Sequence, residues 1–207
     1  HLWNGVADPY CYTCEAALVC DGEVVDTVEV TYGYRSFHVC PNTGFWLNGQ
    51  NVPLHGVSRH QDRLDKGWAI SKADHEEDIA LIKELGANTI RLAHYQHNQD
   101  VYNLCDEMGL ILWAEIPYIS AHMPRGMDNT ITQMTELIVQ NYNHPSIVCW
   151  GLSNEITIAG TGDKTLLANH KMLNDLCHKL DPTRKTTLAA FTACPMKEEV
   201  VHVPDIV

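Results

Sequence analysis

The sequence predicts an α/β chain: the first part of a (β/α)8 (TIM) barrel, truncated after about five βα units and preceded by the last strands of a β-sandwich. Three observations carry this. From residue 52 onward, apolar strand-like runs alternate with helical periodicities, the pattern of a parallel sheet with right-handed crossovers. No Gly-x-Gly-x-x-Gly turn follows the first of these strands, which disfavours a doubly wound nucleotide-binding sheet. Polar residues collect at the C-terminal ends of successive strands, where barrels keep their active sites.

Residues 1–40 read as β. Tyr10 to Val19, Glu23 to Tyr32 and Tyr34 to Val39 are rich in β-branched and aromatic residues, with turns at Asp21-Gly22 and Gly33. Three strands are too few for a sandwich, so they predict the end of one. Pro41-Asn42-Thr43-Gly44 marks the boundary, and 41–207 is the barrel portion. Phe45-Trp46-Leu47, Asn48-Gly49 and Val52-Pro53-Leu54 predict a short hairpin turned by Asn-Gly. Val52 to Val57 is the first barrel strand. Ser71-Lys72-Ala73-Asp74 resembles a capping box that opens a helix with Ile79, Ile82 and Leu85 on one face, stopped at Gly86. Asn88 to Ala93 is the second strand, and Asp100 to Met108 a helix ended by Gly109. Leu110 to Glu115 is the third strand, and Ile131 to Asn143 a helix stopped before Pro145. Ser146 to Leu152 is the fourth strand, Leu166 to Leu180 a helix stopped at Asp181-Pro182, and Thr186 to Ala190 the fifth strand. Val203 to Val207 begins a sixth.

Composition narrows the function. The 207 residues are enough for one domain with a core, or one and a fraction. A net charge of −12 argues against nucleic acid and anionic membrane as partners and suits neutral small molecules or sugars. No apolar run is long enough to span a membrane. The start, His1-Leu2-Trp3-Asn4-Gly5, has neither a signal peptide's features nor a starting Met, so a chain cut from something longer is expected. Eight cysteines without paired zinc spacing read as free thiols in a reducing cytoplasm, Cys11-Tyr-Thr-Cys14 included.

The strand ends hold the chemistry. The first ends in Arg59-His60, the second carries Arg91 and ends in His94, the third ends in Glu115, and the fourth in Ser153-Asn154-Glu155. A carboxylate at the mouth beside an apolar wall such as Trp150 would have its pKa raised, as a general acid at neutral pH requires. Glu155 fits that role, and a helix cap or an ion pair with Arg91 is the plain alternative. Arg91 within a strand needs a carboxylate, either Glu155 or Glu115. His60 and His94 suit sugar hydroxyls, metal ligation or plain rim packing. Tyr95, Trp113 and Tyr118 offer stacking surface for a sugar ring or simple packing. His94-x-x-His97 alone is a weak metal signal, so no metal site is assigned from the residues.

At these residues the sequence resembles glycoside hydrolase family 2. The stretches are Asn88-Thr-Ile-Arg91-Leu-Ala-His94-Tyr95, Trp113-Ala-Glu115-Ile-Pro117, and Asn143-His144-Pro145-Ser146 through Trp150-Gly-Leu-Ser-Asn154-Glu155. Gly56-Val57-Ser58-Arg59-His60-Gln61-Asp62 is similar to the family's β-galactosidase branch. The resemblance runs from about residue 30 to the end. It implies a sugar-binding jelly roll, an immunoglobulin-like sandwich whose last strands are residues 1–40, and a catalytic barrel. It implies Glu155 as acid/base and Asn154 on the sugar 2-hydroxyl. His60 and His94 are then substrate-binding, and Arg91, Glu115 and Trp150 support the site. The family's nucleophile, a Glu ending the seventh strand, would lie beyond residue 207, since Glu198 and Glu199 end no strand.

The implied reaction is retaining hydrolysis of terminal β-D-galactosides. A β-glucuronidase, a β-mannosidase or an inactive carbohydrate-binding fragment are the alternatives. A metal-dependent barrel hydrolase using His60, His94 and Glu115 is a further one. The parent protein is expected to be a homo-oligomer, and the isolated fragment inactive. Magnesium remains open as a cofactor. Galactosidases of the family often place a Glu and a His as its ligands just after the third strand. Here those positions read Ile119 and Ala121, with His122 one step further on.

Overall fold

Five parallel strands stand side by side in the order in which they occur in the sequence: β6 (Gly56–Arg59), β7 (Thr89–Leu92), β8 (Ile111–Glu115), β9 (Ile147–Asn154) and β10 (Lys185–Ala189). A doubly wound sheet reverses its strand order at a switch point, whereas a barrel wall does not, so the topology decides for the barrel. The structure is a computed structural model, and it describes residues 1–160, 162–195 and 197–207. Four helices connect the strands: α1 (Lys72–Glu84), α2 (Gln99–Met108), α3 (Met127–Asn141) and α4 (Lys164–Leu180). Ile206 makes a single parallel bridge to Thr187, where a sixth strand was expected, after a 3-10 turn over Glu199–His202.

Local signals explain the elements. Ser71 and Asp74 close a capping box on α1, with the Ser71 N–H donating to Asp74 Oδ2 at 2.7 Å. Asn98 caps α2 and Asp163 caps α4 through side-chain oxygens. Gly109 ends α2 at φ 74°. A Cβ there would meet the Gly5 carbonyl at 2.2 Å, so glycine serves both the turn and a close backbone approach. α3 starts at Met127, earlier than the expected Ile131, because a 3-10 turn at Pro124–Gly126 feeds directly into its polar first turn. The core lies between the outward face of the sheet (Ile90, Leu92, Leu112, Ala114) and the helices, which contribute Ile79, Tyr102, Leu137 and Leu173.

Pairing and packing cross the boundary at residue 40. β3 (Phe37–Cys40) pairs antiparallel with β4 (Gly44–Leu47), which pairs with β5 (Gln50–Asn51) through the Asn48-Gly49 turn. This sheet straddles residue 40 because Phe37, Phe45 and Leu47 pack with Trp3, Ile111 and Val148 in a second apolar cluster. Arg35 donates to the carbonyls of Pro145 and Ile147, and the Trp3 indole to that of Asp106. The segment thus covers the N-terminal end of the barrel wall. Only the hairpin of β1 (Tyr12–Cys20) and β2 (Glu23–Tyr32) stands clear, with Leu18, Val24, Val28 and Val30 exposed. All eight cysteines are free. Burial pushes the Cys11 thiol up to about 11. Among the described residues no helix is long and apolar enough to cross a membrane.

Candidate active site

Alternation along β7 and β8 sends Ile90 and Leu92 outward into the core and Arg91 and Glu115 inward. Arg91 forks onto Glu115, with Nε to Oε2 at 3.1 Å and Nη2 to Oε1 at 2.9 Å. Its Nη2 also donates to Asn154 Oδ1 at 2.6 Å, and the guanidinium lies over the Trp113 ring at 4.5 Å. His94 Nδ1 bonds Glu115 Oε1 at 2.8 Å. Glu115 has no exposed surface, so a buried charge is held by an arginine and an imidazole. The choice left open by the sequence, Glu115 or Glu155, falls on Glu115.

β9 is irregular where the site needs it to be. Gly151 faces inward, because a Cβ there would stand 2.4 Å from Glu115 Cβ and 2.5 Å from Trp113 Nε1. Thr187 pairs with Gly151 but Ala189 pairs with Asn154, so β9 gains one residue over β10 between them. This bulge re-aims the strand end. Ser153 turns toward α4, its hydroxyl 2.8 Å from His170 Nε2, and Asn154 turns inward onto Arg91. Glu155 follows with φ 47°, its N–H donating to the Ala189 carbonyl at 2.8 Å. Its backbone is pinned. Among the described residues its half-buried carboxylate has no hydrogen bond or ion pair.

Residues 40–203 match the family model for glycosyl hydrolases family 2, TIM barrel domain. The chain belongs to this family. It is 44% identical over 198 residues to a β-glucuronidase of Bacteroides fragilis, covering 91% of this chain and 28% of that protein. It is 32% identical to a β-galactosidase of Thermoanaerobacterium thermosulfurigenes, covering 89% and 25%. Among solved structures, an FMN-binding β-glucuronidase from Facaelibacterium prausnitzii L2-6 superposes with a TM-score of 0.95 at 48% identity, over 99% of this chain and 32% of that one. The chain thus spans about a quarter to a third of the length of these relatives.

Two residues expected near the rim, Trp150 and Arg59, sit elsewhere. Trp150 is not an apolar wall for Glu155. Its indole donates to Asp181 Oδ2 at 2.9 Å and lies beside Arg184, on the outward face that the bulge separates from Asn154. Arg59 does not face the site either, being buried against Asp78, His75 and His97. Burial holds His97 down to about 3, and its ring bonds the Ala93 carbonyl, so His94 and His97 serve different partners. His60 and His94 meet at the rim, ring centroids 5.0 Å apart.

Glu115 and His122, two residues near the expected magnesium position, are already engaged. Both Glu115 oxygens are taken by Arg91 and His94, and His122 is tied to the Tyr118 hydroxyl and to Thr165. Among the described residues no three His, Cys, Asp or Glu side chains are placed to hold a metal. Tyr118 and His122 were legible as candidates, but the pairing of their segment, 116–122, was not. The segment runs beside the end of β9, where Tyr118 accepts from the Asn154 N–H and Asn154 from the Ser120 N–H, both at 2.9 Å. No regular periodicity marks this segment, so only pairing in space reveals it.

Proposed function

We propose that this chain carries the acid/base half of a retaining β-glycosidase site, with Glu155 as acid/base and a β-D-glucuronide as substrate. The observation that carries the reading is the pinned backbone and unpartnered carboxylate of Glu155 beside the Arg91–Glu115 clamp. Because Asn154 Oδ1 accepts from Arg91, its amide NH2 is left to donate to a sugar hydroxyl. Because His94 Nδ1 is committed to Glu115, its Nε2 is left for another hydroxyl.

In the first step a second carboxylate, about 5–5.5 Å from the acid/base, attacks the anomeric carbon while Glu155 protonates the leaving oxygen. In the second, Glu155 takes a proton from water, and the sugar leaves with retained configuration. Glu115 is a poor nucleophile here, since it is buried and both its oxygens are bonded. The nucleophile is therefore assigned outside residues 1–207. The glucuronide preference rests on the relatives: a protein named β-glucuronidase is 44% identical and one named putative β-glucuronidase 41%, while two β-galactosidases are at 32% and 31%. A β-galactoside is the second reading, supported by a putative β-galactosidase structure from Bacteroides fragilis at TM-score 0.95 and 39% identity.

The test uses the full-length polypeptide and its Glu155→Gln variant on aryl β-D-glucuronide and aryl β-D-galactoside. The expected result is faster glucuronide turnover, lowered about 10²–10⁴-fold by the substitution. A preference for galactoside would move the assignment to the second reading. Full activity in the variant would remove Glu155 from the chemistry.

A further inference from the structure

The loop 60–71, between β6 and α1, holds groups that the reaction above does not use. Trp68 leaves 63% of its surface in water, although its loop is firmly anchored. Arg63 donates to Glu77 Oε2 at 2.6 Å, to Asp78 Oδ1 at 2.7 Å and to the Asp74 carbonyl at 2.9 Å. Lys66 donates to Asp74 Oδ1 at 2.7 Å. The Arg63 N–H closes the loop on the Gly67 carbonyl at 3.1 Å. The indole is thus presented on a braced support. Its ring lies against that of Tyr95, centroids 4.5 Å apart and planes tilted by 34°. The Tyr95 hydroxyl accepts from the Gln61 N–H at 3.0 Å, and its ring adjoins His60 at 5.9 Å. His60 adjoins His94, which bonds Glu115. A chain of ring contacts therefore links Trp68 to the candidate site. Asp62 lies in the same loop, exposed, and among the described residues its carboxylate has no hydrogen bond or ion pair.

We propose that Trp68, backed by Tyr95, is a stacking platform for a second pyranose ring of the substrate, with Asp62 accepting hydrogen bonds from that ring's hydroxyls. A pyranose offers an apolar C–H face to an aromatic ring and donor hydroxyls at its edge to a carboxylate. Two rings, His60 and Tyr95, stand between His94 and Trp68 in this chain of contacts, so the platform is placed beyond the ring that His60 and His94 would hold. The unpaired Asp62 carboxylate also sets the class of this second ring. A neutral, hydroxyl-rich sugar is accepted, whereas a uronate there meets like charge. The inference rests on the glycosidase reading and adds a subsite to it.

The experiment compares kcat/KM of the full-length polypeptide for a β-linked disaccharide and for the methyl β-glycoside of the same glycone. Trp68→Ala should lower the disaccharide value about tenfold more than the methyl glycoside value, mostly through KM. Trp68→Phe should recover most of the loss, and Asp62→Asn should show the same selective loss. Equal effects on both substrates, or none, overturn the proposal. Titrating the Glu155→Gln protein with the disaccharide separates the two readings. Indole quenching that disappears on adding Trp68→Phe supports the platform whatever Glu155 does. Quenching unaltered by Trp68→Phe, or no quenching at all, overturns it even where hydrolysis is confirmed.

Discussion

Glu115 and Glu155 are both carboxylates at strand ends, yet they respond to substitution in opposite ways. Glu115 is buried, and its charge is tolerated because Arg91 and His94 bond both oxygens. Arg91→Met leaves that buried charge with His94 as its one remaining partner among the described residues and is expected to cost about 3–5 kcal/mol of folding stability, read from denaturant unfolding. An unchanged midpoint would show that the pair does not hold the barrel wall. Glu155→Gln removes no side-chain partner, so stability should change by less than about 0.5 kcal/mol while turnover collapses. The sequence named all four members of this cluster, because alternation places Arg91, His94, Glu115 and Asn154 at strand ends. It left the pairing open, because one strand's periodicity says nothing about which carboxylate a neighbouring strand brings near.

Among the elements, β9 carries the most consequence per residue. Gly151→Ala would press a methyl against Glu115 Cβ and Trp113, for a loss of about 1–3 kcal/mol and a displaced Glu115. Thermal unfolding of the variant measures this, and a wild-type Tm would mean that the wall yields. α4 answers β9 through His170, which burial holds down to about 4. His97 behaves alike, at about 3. Both rings are neutral in the fold, whereas the unfolded chain protonates them near 6.5. As pH falls from about 6.5 toward 4 the unfolded state binds more protons, so their contribution to stability is lost in that window. Tm should drop across it, and His170→Gln should flatten the slope. A Tm independent of pH there would contradict the neutral assignment. The bulge that couples β9 to α4 has no signature in Trp-Gly-Leu-Ser-Asn. Simple alternation would put Trp150 and Asn154 on one face, and the extra residue parts them.

The whole molecule leaves much of its apolar surface uncovered. The inward face of the wall and the β3–β5 sheet line an open trough of about 480 Å³, with Phe37, Val39, Trp113, Val148 and Ile206 on its sides. β6 and β10 are sheet edges, and the β1–β2 hairpin exposes Leu18, Val24 and Val28. Open edges and apolar faces of this kind recruit other chains. The 207 residues expressed alone should self-associate in sedimentation experiments as concentration rises. A monomer throughout would refute that.

Strand and helix order, the caps at Ser71 and Gly109, the Asn48-Gly49 turn and the rim residues were all readable from the chain, because periodicity and turn chemistry are local. Three features required strands distant in sequence to be brought together: the Arg91 grip on Glu115, the outward turn of Trp150, and the chain of ring contacts from Trp68 to His94. Each depends on register between elements, a property that no single segment encodes.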